Sequence, residues 1–274
     1  MLDKIDNLFI YFLKKMNHTF TLTFCETAEN HVGMQKIGSL AQRGFTCEEL
    51  LNIKKNLESK FNDIKIEYIK CNDFLDKSIN AEEASILIIR NGLNFISNID
   101  LIYKEQLDLK KDDKAFMYGR VVNKLARHNL CFADIDQEAD FINKKGTIIN
   151  FKNLEFLNEC RKNLEVYFGD KAKNLYAEGN YYYDIKKCGI GFHGDAERKI
   201  VIGIRLGKTL PLHFQWFIES KEIGERIKLT LNHGDIYIMS EKATGNDWKK
   251  RKIFTLRHAA GCEKFLTIKN KNLE

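Results

Sequence analysis

The N-terminal part of the chain contains three stretches whose apolar pattern predicts β-strands. Residues 18–25, HTFTLTFC, alternate apolar and polar side chains and favour β-branched types, so they predict a strand. Two shorter apolar runs, IKIEYIKC at 64–71 and ASILIIRNG at 84–92, have the length and composition of further strands.

Two stretches between these strands predict helices. Residues 27–44, TAENHVGMQKIGSLAQRG, have Thr27 as an N-cap and Gly44 as a stop signal. Residues 46–61, TCEELLNIKKNLESKF, begin with a capping-box pattern and carry an apolar stripe at helical spacing. Strands alternating with helices indicate a small α/β unit over residues 1–105.

The pattern changes after the lysine-rich stretch KEQLDLKKDDK, residues 104–114, which we take as a domain boundary. Beyond it, one helix is predicted over 153–168, NLEFLNECRKNLEVYF, among short strands separated by turns. The strands are predicted over 199–207, 212–218, 226–231, 234–240 and 252–259. Several short strands at this spacing predict a sandwich or barrel over residues 106–274.

Composition narrows the class of protein without fixing its activity. A chain of 274 residues with 44% hydrophobic content can bury a core, and its net charge of +6 is compatible with a nucleic-acid partner without requiring one. Seven scattered cysteines with no C-x-x-C pair indicate reduced thiols and an intracellular protein, cytoplasmic or nuclear. The apolar run LFIYFLKK at 8–15 is shorter than the roughly 20 residues that cross a bilayer, so no membrane span is expected.

The stretch GIGFHGDAERK, residues 189–199, places His193 and Asp195 two residues apart near a predicted strand end. Residues i and i+2 of a strand share a face, so both side chains can bind one metal ion. Iron(II) oxygenases with an organic-acid co-substrate use two histidines and one carboxylate in this way. Most His-x-Asp pairs arise by chance, so the motif alone is a weak signal.

A second motif strengthens the metal hypothesis. RKIFTLR places Arg251 and Arg257 six residues apart on a predicted strand, so both are expected on the same face. Two buried guanidinium groups on one face need anionic partners, and a dicarboxylate would satisfy both through bidentate contacts.

Four motifs, in order, resemble the AlkB-like 2-oxoglutarate and iron(II)-dependent dioxygenases over roughly residues 114–261. They are YGRVVNKLARHNLCFAD at 118–134, which is similar to the nucleotide-recognition lid; an Asn-x-Tyr ahead of the His-x-Asp; HGDIYIMSE at 233–241; and RKIFTLRHAAG at 251–261. The resemblance implies an α+β protein whose C-terminal domain, 106–274, is a double-stranded β-helix or jelly roll. The smaller α/β unit, 1–105, has no implied role, and no partner can be named for it.

The resemblance also implies roles for individual residues, with Fe(II) as the metal and 2-oxoglutarate as the co-substrate. His193 and Asp195 would bind iron, and Arg251 and Arg257 would hold the carboxylates of 2-oxoglutarate. The remaining roles are contacts to the co-substrate from Asn180 and Tyr182, and a substrate lid over 116–134 that contains Tyr118, Arg120 and Arg127.

The second histidine ligand of the family does not lie at its usual position. That histidine should follow the predicted strand GDIYIMSE, residues 234–241, but the chain reads GNDWKKR there, and Lys250 at the expected position carries an ammonium group that cannot ligate unless it is deprotonated. Three alternatives remain open: His258, favoured because imidazole is the usual ligand; Asp247, as a carboxylate; or a site completed by water or without metal. His258 could equally face away from the site.

The activity implied by the resemblance is oxidative hydroxylation, with demethylation as one outcome. A nucleic-acid base in DNA or RNA is the preferred substrate, because base-modifying relatives have a similar lid and extrude the target base into a pocket. Two alternatives stay open: a protein or small-molecule hydroxylase on the same fold, and a catalytically degenerate nucleic-acid-binding module that works without iron.

Overall fold

The computed structural model describes residues 17–268, which form an α+β protein. The strands, β1 to β16 in chain order, are Thr19–Cys25, Thr27–Glu29, Lys36–Gly38, Ile66–Lys70, Ser85–Ile89, Lys114–Met117, Arg120–Asn123, His128–Ala133, Ile148–Asn150, Tyr176–Tyr182, Gly189–His193, Val201–Gly207, Leu210–Ile218, Lys221–Leu231, Ile236–Met239 and Thr255–Gly261. The helices, α1 to α5, are Cys47–Lys60, Ile99–Asp108, Glu155–Phe168, Glu241–Thr244 and Glu263–Leu266, and short 3-10 turns cover Cys71–Phe74, Gly92–Phe95, Phe151–Asn153 and Asp170–Ala172.

The strands assemble into two main sheets. The larger has eight strands in the order β4-β5-β15-β12-β1-β10-β8-β9, and the smaller has four in the order β11-β16-β13-β14. Within the larger sheet only the β8–β9 pair is parallel. Two separate hairpins, β2–β3 and β6–β7, complete the strand pairing of the described residues.

The larger sheet buries both of its faces. In β1, Phe20, Leu22 and Phe24 point to one side and pack with residues of α1, α2 and α3 in a first hydrophobic core. Thr21 and Thr23 point to the other side, as the two-residue period of a strand requires.

A second core lies between the two sheets and holds them face to face. Phe214 and Trp216 of the smaller sheet pack there with Ile86, Val201 and Met239 of the larger one. Trp216 is fully buried, and its indole N–H donates a 2.9 Å hydrogen bond to the Cys71 carbonyl. The protein therefore has three layers, helices, large sheet and small sheet, and the space between the sheets is where side chains from both can meet.

Several sequence predictions are confirmed. The strands predicted at 18–25, 64–71 and 84–92 are β1, β4 and β5, and the helix predicted at 153–168 is α3. The helix α1 begins with the predicted capping box, in which Thr46 and Glu49 bond each other's backbone N–H groups.

The helix predicted over 27–44 is wrong, because this segment forms the β2–β3 hairpin and a following loop. Gly33 has φ +85° in the turn, where the Glu29 carboxylate accepts its N–H at 2.9 Å. Gly38 has φ +87°, and its close contact with the Tyr176 ring leaves no room for a side chain. Tertiary contacts and glycines that disfavour a helix outweigh the local helical pattern here.

The expected division of the chain at 105/106 does not correspond to a division of the large sheet. The strand β1 lies between β10 and β12, and β5 pairs with β15. The lysine-rich stretch taken as a boundary begins inside α2. Strands from both sides of that boundary thus share one sheet.

Two further expectations concern the membrane and the thiols. Within residues 17–268 no helix is both long and apolar enough to cross a bilayer, and the apolar run at 8–15 lies outside the described residues. All seven cysteines are free thiols, as expected from their spacing.

Candidate metal centre

His193, Asp195 and His258 converge between the two sheets. One ligand atom from each lies within 4.8 Å of the others, so the group could hold a metal ion. Asp195 Oδ1 is 3.6 Å from His193 Nε2 and 3.7 Å from His258 Nε2. Two imidazoles and one carboxylate at this spacing form the donor set anticipated from the His-x-Asp motif, with His258 as the third member.

The local backbone explains how the three side chains meet. His193 ends β11 and pairs directly with His258 of β16, after an irregularity in register that begins at Ile190. Asp195 follows in a turn and donates its N–H to the Thr244 carbonyl at 2.9 Å. Gly194 is required between the two ligands, because a Cβ there would lie 2.1 Å from the Gly245 carbonyl oxygen.

Burial keeps both imidazoles in the form that binds metals. It lowers the pKa of His193, against the opposing effect of Asp195, and lowers the pKa of His258 further because His193 and Arg198 are close. A neutral imidazole has a lone pair for a metal. His193 Nδ1 lies 2.8 Å from the Gly191 carbonyl, so it carries the proton and leaves Nε2 for a ligand.

The alternative ligand Asp247 lies outside the group. Its carboxylate accepts a 2.7 Å hydrogen bond from buried Lys242. Lys250, at the family's histidine position, is exposed. The structure therefore places His258 beside His193 and Asp195 and leaves Asp247 and Lys250 outside the group.

The three residues line a cavity of about 770 Å³. Asn180 and Tyr182, both expected at the co-substrate, also line it from β10. The Asn180 side-chain oxygen accepts hydrogen bonds from Arg127 and Asn129, each at 2.6 Å. Tyr182 is 3% exposed, and burial raises the pKa of its hydroxyl.

The structure does not place Arg251 or Arg257 in this cavity, which corrects their assignment to the co-substrate. Because β16 begins only at Thr255, Arg251 precedes the strand and is exposed. Arg257 lies in the strand, but its neighbour His258 faces the cavity, so Arg257 faces away. Its guanidinium packs 4.2 Å from the Phe217 ring centre and 5.4 Å from that of Trp248.

A different arginine lines the cavity. Arg205 of β12 is 1% exposed, and its Nε and Nη1 atoms have no hydrogen-bond partner. Directly opposite, on β1, the Thr21 hydroxyl is also buried and unpartnered. Arg205 forms no ion pair with another described residue, and burial lowers its pKa against the weaker opposing effects of Tyr237, Tyr182 and Asp235. An unpaired buried cation with free N–H donors is costly, so this corner of the cavity suits an anion.

The predicted lid divides into two parts. Arg127 lines the cavity, whereas Tyr118 and Arg120 lie at the tip of the β6–β7 hairpin, where Tyr118 is 89% exposed and has φ +54°. Part of the cavity wall comes instead from the β2–β3 hairpin, whose cavity-lining residues are Glu29, Asn30, His31, Val32, Gly33, Met34 and Lys36.

Sequence reasoning missed Arg205, Thr21 and Arg198. A signal for Arg205 was present: one arginine interrupts the otherwise apolar run KIVIGIRLG, and a charge inside a buried strand needs a counter-ion or a ligand. No comparable signal marks Thr21, because it reaches the site only through the pairing of β1 with β12.

Fold and site together define an α+β protein of two facing sheets with a candidate mononuclear metal centre between them. No protein-family model matches the chain. It is 48% identical over 257 residues to an uncharacterized protein of Acanthamoeba polyphaga mimivirus, an alignment that covers 93% of this chain and 100% of that protein. The chain belongs to the same family as that mimivirus protein.

Proposed function

We propose that the protein is a 2-oxoglutarate- and Fe(II)-dependent dioxygenase. The observation that carries the proposal is the group of His193, Asp195 and His258 inside a cavity. Two imidazoles and one carboxylate on one side of an iron(II) ion leave the opposite positions free for a co-substrate and dioxygen.

The path of the chain supports a double-stranded β-helix, or jelly roll, as the fold behind this site. From β10 to β16 the chain visits the large sheet at β10, β12 and β15 and the small sheet at β11, β13, β14 and β16. A jelly roll would place one more strand, after β16, between β10 and β12. Here β1 occupies that position, so the final strand of the roll comes from the N-terminal part of the chain.

In the family that the chain resembles, the arginine pair follows the second histidine. Here Arg251 and Arg257 precede His258, and the position of the last strand offers a reason why neither lines the cavity. The position of the final strand of the jelly roll is taken by β1, TFTLTFC, which contains no arginine. Arg205 on β12, beside β1, supplies the missing cation. In the proposed complex Arg205 and the Thr21 hydroxyl hold the distal carboxylate of 2-oxoglutarate.

The chemistry supplied by iron and 2-oxoglutarate is the oxidative decarboxylation of the co-substrate to succinate and carbon dioxide, coupled to hydroxylation of a substrate C–H bond by the second oxygen atom of dioxygen. The residues of the chain position and shield this reaction. Neutral His193 and His258 and the Asp195 carboxylate provide the ligands, and the β2–β3 hairpin limits access of water. If the hydroxylated carbon is a methyl group on nitrogen, the product releases formaldehyde and the net result is demethylation.

A base in DNA or RNA is the substrate we favour. Arg127 and Lys36 line the cavity, and the net charge of +6 suits a phosphate backbone. A base extruded from its stack could enter under the hairpin wall. The triad completed by His258 removes the main reason for considering a degenerate, metal-independent binding module.

Anaerobic titration of the purified protein with iron(II) and 2-oxoglutarate tests the proposal. The parent should develop the visible charge-transfer band of chelated co-substrate, and His193→Ala and His258→Ala should each lose it. Asp247→Asn, which alters a carboxylate bonded to Lys242, should retain the band. The absence of a band in the parent at saturating iron and co-substrate would overturn the proposal.

A further inference from the structure

A buried arginine lies directly behind the metal-binding group. Arg198 follows Asp195 by three residues and is 5% exposed. Its Nη2 atom donates hydrogen bonds to Glu178 at 2.7 Å and to Glu197 at 2.6 Å. Two carboxylates thus fix the guanidinium in one orientation.

Arg198 Nη1 donates to Cys25 Sγ at 3.6 Å, and the Nε donor is the one near Asp195. Arg198 Nε is buried without a hydrogen-bond partner and lies 4.0 Å from Asp195 Oδ2. The other oxygen, Oδ1, is the one that lies near both imidazoles. The two oxygens of the carboxylate therefore face different partners, histidines on one side and the guanidinium on the other.

We propose that Arg198 is a positioning residue for the metal: its Nε–H engages Oδ2 of Asp195 and keeps Oδ1 directed at the ion, so that Asp195 ligates through one oxygen. Hydrogen bonds from outer residues commonly orient ligating carboxylates in this way. A carboxylate restricted to one oxygen occupies one coordination position and leaves the others for further ligands.

The charges of the cluster agree with this assignment. Arg198, Glu178, Glu197 and Asp195 together carry two surplus negative charges, which a divalent cation would neutralise. Without Arg198, the carboxylates of Glu178, Glu197 and Asp195 would lose the cation that contacts all three, and Asp195 would be free to rotate or to ligate through both oxygens.

The positioning role extends to the cavity wall. Glu178 accepts a 3.1 Å hydrogen bond from the Asn180 amide, and Asn180 in turn accepts one from Arg127. A continuous chain of hydrogen bonds, buried from Asn180 inward, therefore links Arg127, on the predicted lid, to the residue that orients the metal carboxylate.

Cobalt(II), a spectroscopic substitute for iron(II), tests the proposal without any turnover, because its visible absorption reports coordination geometry. Arg198→Lys keeps the positive charge but loses the fixed Nε–H. We expect Co(II) affinity to fall about 10- to 100-fold in this variant, the usual range for outer-residue changes, with a shifted visible spectrum. Glu178→Gln, which loosens the guanidinium, should shift the spectrum in the same direction with a smaller loss of affinity.

The matched control is Arg161→Lys. Arg161 is also a buried arginine held by a carboxylate, Asp134, and its partners lie outside the metal group. This variant should lower the unfolding temperature and leave the Co(II) affinity and spectrum as in the parent. The same thermal unfolding measurement on Arg198→Lys separates loss of fold from loss of positioning.

Unchanged Co(II) affinity and spectrum in Arg198→Lys would overturn the proposal, and if that variant does not fold, the same result in Glu178→Gln would overturn it. The inference rests on the metal-binding part of the proposed function and not on the oxidation. A parent that binds Co(II) but never consumes 2-oxoglutarate would contradict the dioxygenase and leave the role of Arg198 standing. A parent that binds no Co(II) would overturn both.

Discussion

At the scale of single residues, burial separates two arginines that look equivalent in the sequence. Arg257 packs against the rings of Phe217 and Trp248 and does not itself line the cavity. Arg257 Nε also lacks a hydrogen-bond partner, but it is Arg205 that lines the cavity, with two such nitrogens, Nε and Nη1. Both arginines lie in apolar strands. Only the three-dimensional pairing of those strands, of Arg205 with Thr21 and of Arg257 with Gln215, shows which arginine faces the cavity.

We expect Arg205→Met to weaken 2-oxoglutarate binding about 10- to 100-fold, because charge-assisted hydrogen bonds contribute roughly 1.5–3 kcal/mol. The metal-free variant should unfold at the same temperature as the parent or higher, since an apolar side chain of similar volume replaces an unpaired buried charge. Anaerobic titration of the iron-loaded proteins with 2-oxoglutarate measures the affinity.

The matched variant is Arg257→Met, which removes the same charge outside the cavity and should bind 2-oxoglutarate like the parent. Equal weakening in both variants would mean that the effect is one of net charge, and the assignment of Arg205 would fail.

The same contrast shows how much of the site the sequence can predict. His193 and Asp195 lie two positions apart in sequence, so a local motif is enough to propose them. Arg205 and Thr21 are 184 positions apart and meet only because β12 pairs with β1. No pattern within either strand contains that information, so the candidate anion site at Arg205 and Thr21 could be found only from the structure.

At the scale of elements, register explains both a success and an error. The side-chain alternation of β1 follows its sequence pattern, because one face packs in the first hydrophobic core and the other carries Thr21 and Thr23 to the cavity. The alternation assumed for 251–257 fails because the strand begins at Thr255, so Arg251 belongs to the preceding loop. Strand boundaries depend on the partner strand, here β13, which pairs with β16 only from Thr255 onward.

The connections between strands also contain a pH-sensitive contact. His233, in the turn between β14 and β15, accepts the N–H of Gly207, the last residue of β12, at 2.8 Å. Burial lowers the pKa of His233 to about 4, against the opposing effect of Asp235. The folded state therefore favours the neutral imidazole.

We expect this contact to make the protein less stable in acid. A folded-state pKa below the unfolded value gives a stabilisation that is complete above about pH 6.5 and is lost as the pH falls toward 4. The loss should be about 2–3 kcal/mol in the free energy of unfolding. His233→Asn keeps an acceptor but does not titrate, so denaturant unfolding at pH 7 and pH 5 should show a smaller decline than in the parent. Equal declines in the two proteins would assign the acid sensitivity to other groups.

At the scale of the whole molecule, the large sheet joins the N-terminal and C-terminal parts of the chain. The strand β1 pairs along its whole length with β10 and along most of it with β12. The strand β5 covers the edge of β15, and α1 buries Leu50, Ile53 and Leu57 in the first core. None of these elements can be removed without exposing apolar residues of the rest.

A fragment of residues 106–274, the domain suggested by the sequence, should therefore not fold alone. Without β1, the facing edges of β10 and β12 lose their partner and expose unpaired backbone groups, which favours aggregation. Thr21, opposite Arg205, would be lost as well.

We expect the fragment to be insoluble or to unfold without a cooperative transition and to bind no Co(II), whereas the full chain unfolds cooperatively and binds it. Circular dichroism with thermal unfolding and Co(II) titration on both proteins decides the matter. A soluble fragment that unfolds cooperatively and binds Co(II) would show that the C-terminal strands close the cavity without β1, and the proposal that β1 completes the roll would then have to be abandoned.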